Sequence, residues 1–146
     1  MDYLRRFIEG YDEQKAMEVT EERDYWQDVV RAEQNKLIVQ EPLTGIEVHY
    51  DVPCAIVYMG NIKGIIPVYE FGINKENHVN SREDLQDKDK QKNSHRFLRS
   101  LSGQKIAFII KGYDKKSGVF TASRKEALDW MKKRTEGRTI YAITCR

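Results

Sequence analysis

Residues 60–72 read GNIKGIIPVYEFG, and this stretch decides how the middle of the chain folds. Gly60-Asn61 is typical of a tight hairpin turn, and the apolar segment CAIVYM at residues 54–59 comes directly before it. Residues 64–71, after the turn, have the composition of a returning strand. Pro67 lies within this strand and has no N–H to donate to a neighbour, so we expect the strand to be short and bent there.

The same strand-like pattern recurs along the chain and predicts five strands in all. The predicted strands cover residues 36–50, 52–59, 64–71, 105–112 and 118–122, and the first is interrupted near Pro42. Alternation along the second strand predicts that Ala55, Val57 and Met59 point inward and that Tyr58 points outward. The same rule places Tyr69 on the outer face of the third strand, so we expect the two tyrosines to share that face.

Helical spacing of apolar residues predicts one or two helices before residue 36, with Thr20 as a candidate N-cap. A nearly all-polar segment at residues 74–93 is expected to be a long, solvated and mobile loop. Ser94 is expected to cap a short helix after that loop. A capping box formed by Ser123 and Glu126 then opens a helix that ends at Gly137.

This order of elements matches a mainly β protein, the five-stranded antiparallel barrel of the OB-fold, with helices at both ends. Residues 1–35 form an acidic helical arm, residues 36–123 the barrel with its polar insertion at 74–93, and residues 124–137 the C-terminal helix. Residues 138–146 alternate like a strand. They are expected to open a truncated second repeat, and then to be either poorly ordered or paired as an edge strand, for example across a dimer; the alternative is a strand that completes this barrel.

Charge is distributed unevenly along the chain, although the net charge is only +2. Residues 1–34 contain 5 basic and 10 acidic side chains, whereas residues 97–146 contain 12 basic and 4 acidic ones. A basic C-terminal third favours binding to a polyanion. The acidic N-terminal arm could cover that basic region, and its apolar stripe could pack on the barrel or on a protein partner.

The remaining composition argues for a cytoplasmic protein that has no membrane span. The first residues lack the apolar core of a secretory signal, and Cys54 and Cys145 have no metal or redox spacing. Nucleotide-binding glycine loops, zinc-binding HExxH and the GxSxG nucleophile motif do not occur, and the three histidines are scattered. The sequence therefore predicts a binding protein without a cofactor rather than an enzyme.

Three groups of residues, spread over about residues 37–130, resemble the RNA-binding repeat of small-subunit ribosomal protein S-one. They correspond to its hairpin, its fourth strand and its closing segment, in that order. The matching residues are Gly64, Ile66, Pro67 and Glu70; Gly103, Ile106, Ile110 and Asp114; and Ala122, Ser123, Arg124 and Lys125. The resemblance implies an OB-fold that binds single-stranded RNA weakly and with little sequence preference.

Single-stranded RNA is held by aromatic faces that stack on bases and by cations along the phosphates. On the face and loops that OB-folds use, the candidate binding residues are Tyr58, Lys63, Tyr69, Tyr113, Lys115, Lys116, Arg124 and Lys125. The chain departs from the family where aromatics often stand, at Pro53 and Ile56, and where a basic residue often stands, at Val119. These departures favour an alternative, a protein-interaction or assembly module that keeps the barrel without its RNA face.

Overall fold

The computed structural model describes residues 24–136, with side chains through residue 133, as a mixed α/β fold. In this part of the chain, six strands form one mostly antiparallel sheet, and three α-helices pack around it. The strands are β1 (Ile38–Pro42), β2 (Gly45–His49), β3 (Val52–Met59), β4 (Ile62–Pro67), β5 (Lys105–Asp114) and β6 (Val119–Ser123). The helices are α1 (Tyr25–Gln34), α2 (Lys88–Ser100) and α3 (Arg124–Glu136).

The predicted first strand is divided into β1 and β2, which lie at the two edges of the sheet, in the order β1-β5-β6-β4-β3-β2. The fully buried Leu43 separates them and exchanges backbone hydrogen bonds with Gly103 and Gln104, beside β5. The next residue, Thr44, donates its N–H to the carbonyl of Ile56 on β3, at 2.9 Å. One short connection therefore links the chain to both edges of the sheet.

The prediction of a barrel with five antiparallel strands is wrong in three respects: the closure of the sheet, the number of strands and the direction of one strand pair. The sheet is open, because its edge strands β1 and β2 are not paired with each other, and it has six strands. In addition, β4 and β6 run parallel, with Lys63 opposite Val119 and Ile65 opposite Thr121. The hydrophobic pattern located the strands, but alternation within one strand does not specify the direction or order of its neighbours.

Pro67 ends β4 rather than lying inside a longer strand. It is the last residue paired with β3, opposite Cys54, and a short 3-10 helix at Val68–Glu70 follows it. The predicted strand over 64–71 therefore begins two residues late and runs four residues past the end of β4. Because proline cannot donate the next ladder hydrogen bond, the backbone leaves the sheet at this residue.

The core lies between the inner face of the sheet and the helices. Phe108 and Phe120, fully buried on β5 and β6, stack with ring centroids 5.9 Å apart. Helix α1 contributes Val29 and Ala32 to this core. Asp24 caps α1 by accepting the N–H of Trp26 at 3.0 Å. Helix α3 covers the other face of β5, where its Ala127 is buried in a smaller apolar cluster.

The polar segment 74–93 is largely folded, so the prediction of a long mobile loop is wrong. It contains a 3-10 helix at Arg82–Gln86, and α2 begins within it, at Lys88, with Asp87 as its N-cap. Val79 is fully buried, and Ser94, which was expected to be the cap, lies inside α2 and accepts the Val79 N–H at 2.7 Å. Asparagine and aspartate side chains hold this segment by local hydrogen bonds, which hydrophobic periodicity does not detect.

Replacing Ser94 with alanine is expected to lower the free energy of unfolding by about 1–2 kcal/mol, because the Val79 N–H would be buried without a partner. Ser100→Ala, an exposed position on the same helix, is the matched control and should change it by less than about 0.5 kcal/mol. Urea unfolding of both variants measures the difference. Equal effects would mean that the Ser94–Val79 contact does not stabilise the segment.

Two predictions concern residues outside the described range, namely the helices before residue 24, with Thr20 as a cap, and the strand over 138–146. Within residues 24–136, none of the helices has the length and apolar content that crossing a membrane requires.

Candidate nucleic-acid interface

One row of residues crosses the sheet near the turn between β5 and β6. Tyr58 on β3 is opposite Lys63 on β4, Lys63 is opposite Val119 on β6, and Val119 is opposite Asp114 on β5. Directly paired residues point to the same face of a sheet, and neighbouring strands are about 4.8 Å apart. The row therefore spans about 14 Å from Tyr58 to Asp114 on one face. Tyr58 is 38% exposed, which leaves part of its ring accessible.

Asp114 organises the turn that continues this row. Its carboxylate accepts the Ser117 hydroxyl at 2.8 Å and the Lys116 N–H at 3.0 Å. These hydrogen bonds, the one from the Ser117 side chain above all, lower the pKa of Asp114. The turn exposes Lys115 and Lys116, so two cations lie at the end of the row. The carboxylate therefore caps the turn.

Tyr113 lies beside this turn and contacts α1. Its ring is 40% exposed, and its centroid is 6.1 Å from that of Trp26, with the two planes tilted by 53°. Trp26 belongs to the apolar stripe of the N-terminal arm, for which the sequence predicted packing only. Its contact with Tyr113 depends on how α1 docks against β5, which no local motif specifies.

Lys63 is held by an acidic neighbour that the sequence analysis did not single out. Its ammonium donates to the Glu47 carboxylate at 2.8 Å, and His49 contacts the other oxygen of that carboxylate at 2.9 Å. Hydrogen bonds from Lys63, first, and from His49 lower the pKa of Glu47, and the same contact raises the pKa of Lys63. A phosphate that binds Lys63 must therefore compete with Glu47.

Tyr69 lies away from Tyr58, so the structure does not bring these two tyrosines together as one platform. Tyr69 follows Pro67, which is opposite Cys54, whereas Tyr58 is opposite Lys63. The distance along β4 from Lys63 to Pro67 alone is about 13 Å. The ring of Tyr69 is also half-buried, with the guanidinium of Arg82 at 4.8 Å from its centroid.

Arg124 joins the start of α3 to the segment after β4. Its guanidinium lies 4.4 Å from the centroid of the fully buried Phe71 ring and donates to the Phe71 carbonyl at 2.8 Å. Burial lowers the pKa of this guanidinium. The buried Ser123 hydroxyl donates to Glu70 at 2.6 Å and accepts the N–H of Glu126, which caps α3. These contacts form a junction between the 3-10 helix and α3.

Lys125 is exposed at this same junction, where its backbone lies close to Gly72. The eight predicted residues therefore divide into two groups at different places on the sheet. Five of them lie at the end of the sheet that carries the β3–β4 and β5–β6 turns, and we call these the tip surface: Tyr58, Lys63, Tyr113, Lys115 and Lys116. Within it, Tyr113 lies on the opposite face of the sheet from Tyr58 and Lys63. The other three, Tyr69, Arg124 and Lys125, lie around the junction with α3.

The positions that depart from the S-one repeat differ in exposure. Pro53 and Ile56 on β3 are buried, with Ile56 only 3% exposed, so neither side chain can stack on a base. Val119 is half-buried between Lys63 and Asp114 in the row described above. On the face of this row a base could stack on Tyr58, whereas Tyr113, opposite the buried Phe120, lies on the other face of the sheet.

Comparison with known proteins returns no matching family model and no similar curated protein.

Proposed function

We propose that this protein is an RNA-binding module of the ribosomal-protein-S-one type that holds single-stranded RNA through the tip surface. The observation that carries the proposal is the placement of two exposed tyrosines and three lysines at one end of the sheet. A stacked base contributes on the order of 1–3 kcal/mol, and every phosphate contact adds affinity that falls with salt. Few stacking residues and a partly neutralised Lys63 favour weak binding with little sequence preference.

The proposal includes a fold of OB type, in which the sheet curves toward a barrel. The connection of two residues between β1 and β2 supports it, since these consecutive strands are the opposite edges of the sheet. The strand ends Pro42 and Gly45 are three residues apart, so their Cα atoms lie at most about 11 Å apart. A strongly curved sheet satisfies that condition, and the OB-fold is itself a partly open barrel.

Replacing both Lys115 and Lys116 with alanine is expected to weaken RNA binding and to reduce its dependence on salt. Each phosphate contact on a single strand contributes about 0.7 to the slope of log affinity against log salt, so losing two should reduce the slope by about 1.4. Fluorescence anisotropy of a labelled oligouridine at several salt concentrations measures this slope. Lys88→Ala with Lys92→Ala, two exposed lysines on α2, is the matched control. A slope reduced equally by both pairs would mean that binding is diffuse.

Replacing Glu47 with glutamine is expected to raise RNA affinity about two- to fivefold at low salt and to increase the salt slope by about 0.7. The reason is that the Lys63 ammonium loses its carboxylate partner and becomes available to a phosphate. Glu126→Gln is the matched control, because Glu126 pairs with Lys111 outside the tip surface. If the two variants have the same affinity as the unmodified protein, Lys63 does not contact RNA.

A second candidate function is a protein-interaction or assembly module, and the burial of Pro53 and Ile56 favours it. With these positions closed to bases, a barrel of this type could keep its fold and use its surface for another protein. The anisotropy titration separates the two functions. Failure to bind oligouridine at low salt, with the protein folded by circular dichroism, would leave the assembly module as the supported function.

A further inference from the structure

Strand β2 forms an open edge of the sheet. It pairs with β3, and in the described part of the chain no strand lies on its other side. Tyr50 and Asp51 form the two-residue turn from β2 to β3, with φ angles of 53° and 66°. Positive φ angles at both positions define a type I′ hairpin, so His49 and Val52, which flank the turn, are a hydrogen-bonded pair.

The turn determines which backbone groups of β2 point to the open edge. Hydrogen-bonded and non-hydrogen-bonded pairs alternate along an antiparallel ladder, so Val48 and Pro53 form a non-hydrogen-bonded pair. This assignment agrees with the chemistry of Pro53, which has no N–H to donate. The N–H and C=O groups of Val48, and those of Ile46 two residues earlier, therefore point away from β3. Within residues 24–136, neither residue has a backbone hydrogen bond to another segment.

This edge also exposes apolar side chains. Val48 is 60% exposed although it lies within a strand, and Tyr50 in the turn is 99% exposed. A groove of about 650 Å³ lies between Val48 and helix α2, so the helix leaves this part of the edge uncovered. Proteins commonly protect an edge strand from pairing by a lysine, a proline or a bulge. None of these occurs in β2, whereas the opposite edge strand, β1, ends with Pro42.

The sequence of β2 is complementary to itself in one antiparallel register. With a twofold axis at Val48, this residue lies opposite its own copy, and Glu47 lies opposite His49 of the second copy. The Val48 pair exchanges two backbone hydrogen bonds and removes both side chains from water. The symmetry repeats the contact between carboxylate and imidazole on each side of the axis. An axis at Glu47 would instead place two carboxylates face to face, so the register centred on Val48 is favoured.

We propose that two copies of this chain associate through β2, antiparallel and with the twofold axis at Val48. The pairing joins the two sheets and gives the Val48 N–H and C=O groups a partner. A five-residue edge buries less area than a standard protein interface, so the dimer is weak, with a dissociation constant on the order of 100 µM. This association is independent of RNA binding, because the tip surface lies at the other end of β3.

Sedimentation velocity of the full chain tests the association. The unmodified protein is expected to change from monomer to dimer between about 10 µM and about 1 mM. Val48→Lys places two like charges at the axis and should leave a monomer over this range, with an unchanged circular dichroism spectrum. Thr121→Lys, at an exposed position of the interior strand β6, is the matched control and should still dimerise. A monomer at every concentration, or a dimer that survives Val48→Lys, would overturn the proposal.

Disulfide cross-linking tests the register. The Cα atoms of a hydrogen-bonded antiparallel pair are about 5.5 Å apart, a distance that a disulfide spans. In a chain with Cys145→Ser, Val48→Cys should therefore form a covalent dimer on mild oxidation. His49→Cys should not, because its two copies lie about 8 Å apart across the axis. Burial raises the pKa of Cys54 to about 11, so this thiol does not compete. Cross-linking through His49→Cys alone, or through neither variant, would contradict an axis at Val48.

Discussion

Gly64→Ala is expected to lower the free energy of unfolding by about 3 kcal/mol, the size of a severe overpacking defect. A β-carbon added at Gly64 would lie 2.2 Å from the tip of the Phe120 ring and 2.4 Å from the next ring carbon. Phe120 is fully buried and stacked on Phe108, so its ring has little room to move. The glycine that matches the hairpin motif is therefore required by packing.

Gly45→Ala is the matched control, since Gly45 is also in a strand but a β-carbon there would meet nothing within 4 Å. We expect it to change the free energy of unfolding by less than about 0.5 kcal/mol. Phe120→Leu should restore part of the stability lost in Gly64→Ala, because the smaller side chain makes room for the added methyl group. Additive losses in a double-mutant cycle measured by urea unfolding would contradict this packing explanation.

Arg124→Ala is expected to have the next largest effect, a loss of about 3 kcal/mol. The change removes a charged hydrogen bond to the Phe71 carbonyl and the cation–π contact with the Phe71 ring, both in a buried place. Arg124→Lys should restore little, because an ammonium cannot stack on the ring as a planar guanidinium does. Thermal and urea unfolding measure both variants.

RNA binding by Arg124→Lys tests whether the guanidinium also contacts phosphate. If Arg124 joins α3 to the sheet and does not contact phosphate, a folded Arg124→Lys protein should keep the salt slope of the unmodified protein. Lys125→Ala, the exposed neighbour, should change stability by less than about 0.5 kcal/mol. A reduced salt slope with unchanged stability in Arg124→Lys would instead assign the guanidinium to the RNA site.

The strands could be predicted where one of their faces is buried and where residues typical of a tight turn follow them. The prediction for residues 52–59 coincides with β3, and the Gly60-Asn61 turn joins β3 to β4 as expected. Alternation also placed Ala55 and Val57 in the core, where both are fully buried. Ile56 lies on the other face of the strand and is buried as well, because a side chain on the outer face can be covered by parts of the chain that its own strand does not specify.

The structure of residues 74–93 could not be predicted because it depends on polar contacts, some of them local and others between residues far apart in sequence. Asn93 donates to the carbonyl of Asn77, and Ser94 accepts from Val79, fifteen residues away. A composition rule treats such residues as solvated. A rule of this kind cannot detect that Val79 is buried and holds the polar segment against the core.

The candidate site was predictable only in part for the same reason. The sequence correctly placed Lys115 and Lys116 between the last two predicted strands, and Asp114 caps the turn there. The roles of Tyr69 and Arg124 depend on Arg82 and Phe71, which reach them through tertiary packing. Motif matching cannot separate a basic residue that binds phosphate from one that stabilises a junction.

The most direct test of RNA binding at the tip surface is a nuclear magnetic resonance titration of the full chain with unlabelled oligouridine at low salt. We predict that the backbone amide signals of residues 58–64 and 112–119 shift in a saturable manner, while those of α2 and of the Phe71–Arg124 junction stay in place. Saturable shifts confined to α2, or no shifts at a millimolar concentration of RNA, would contradict the proposal.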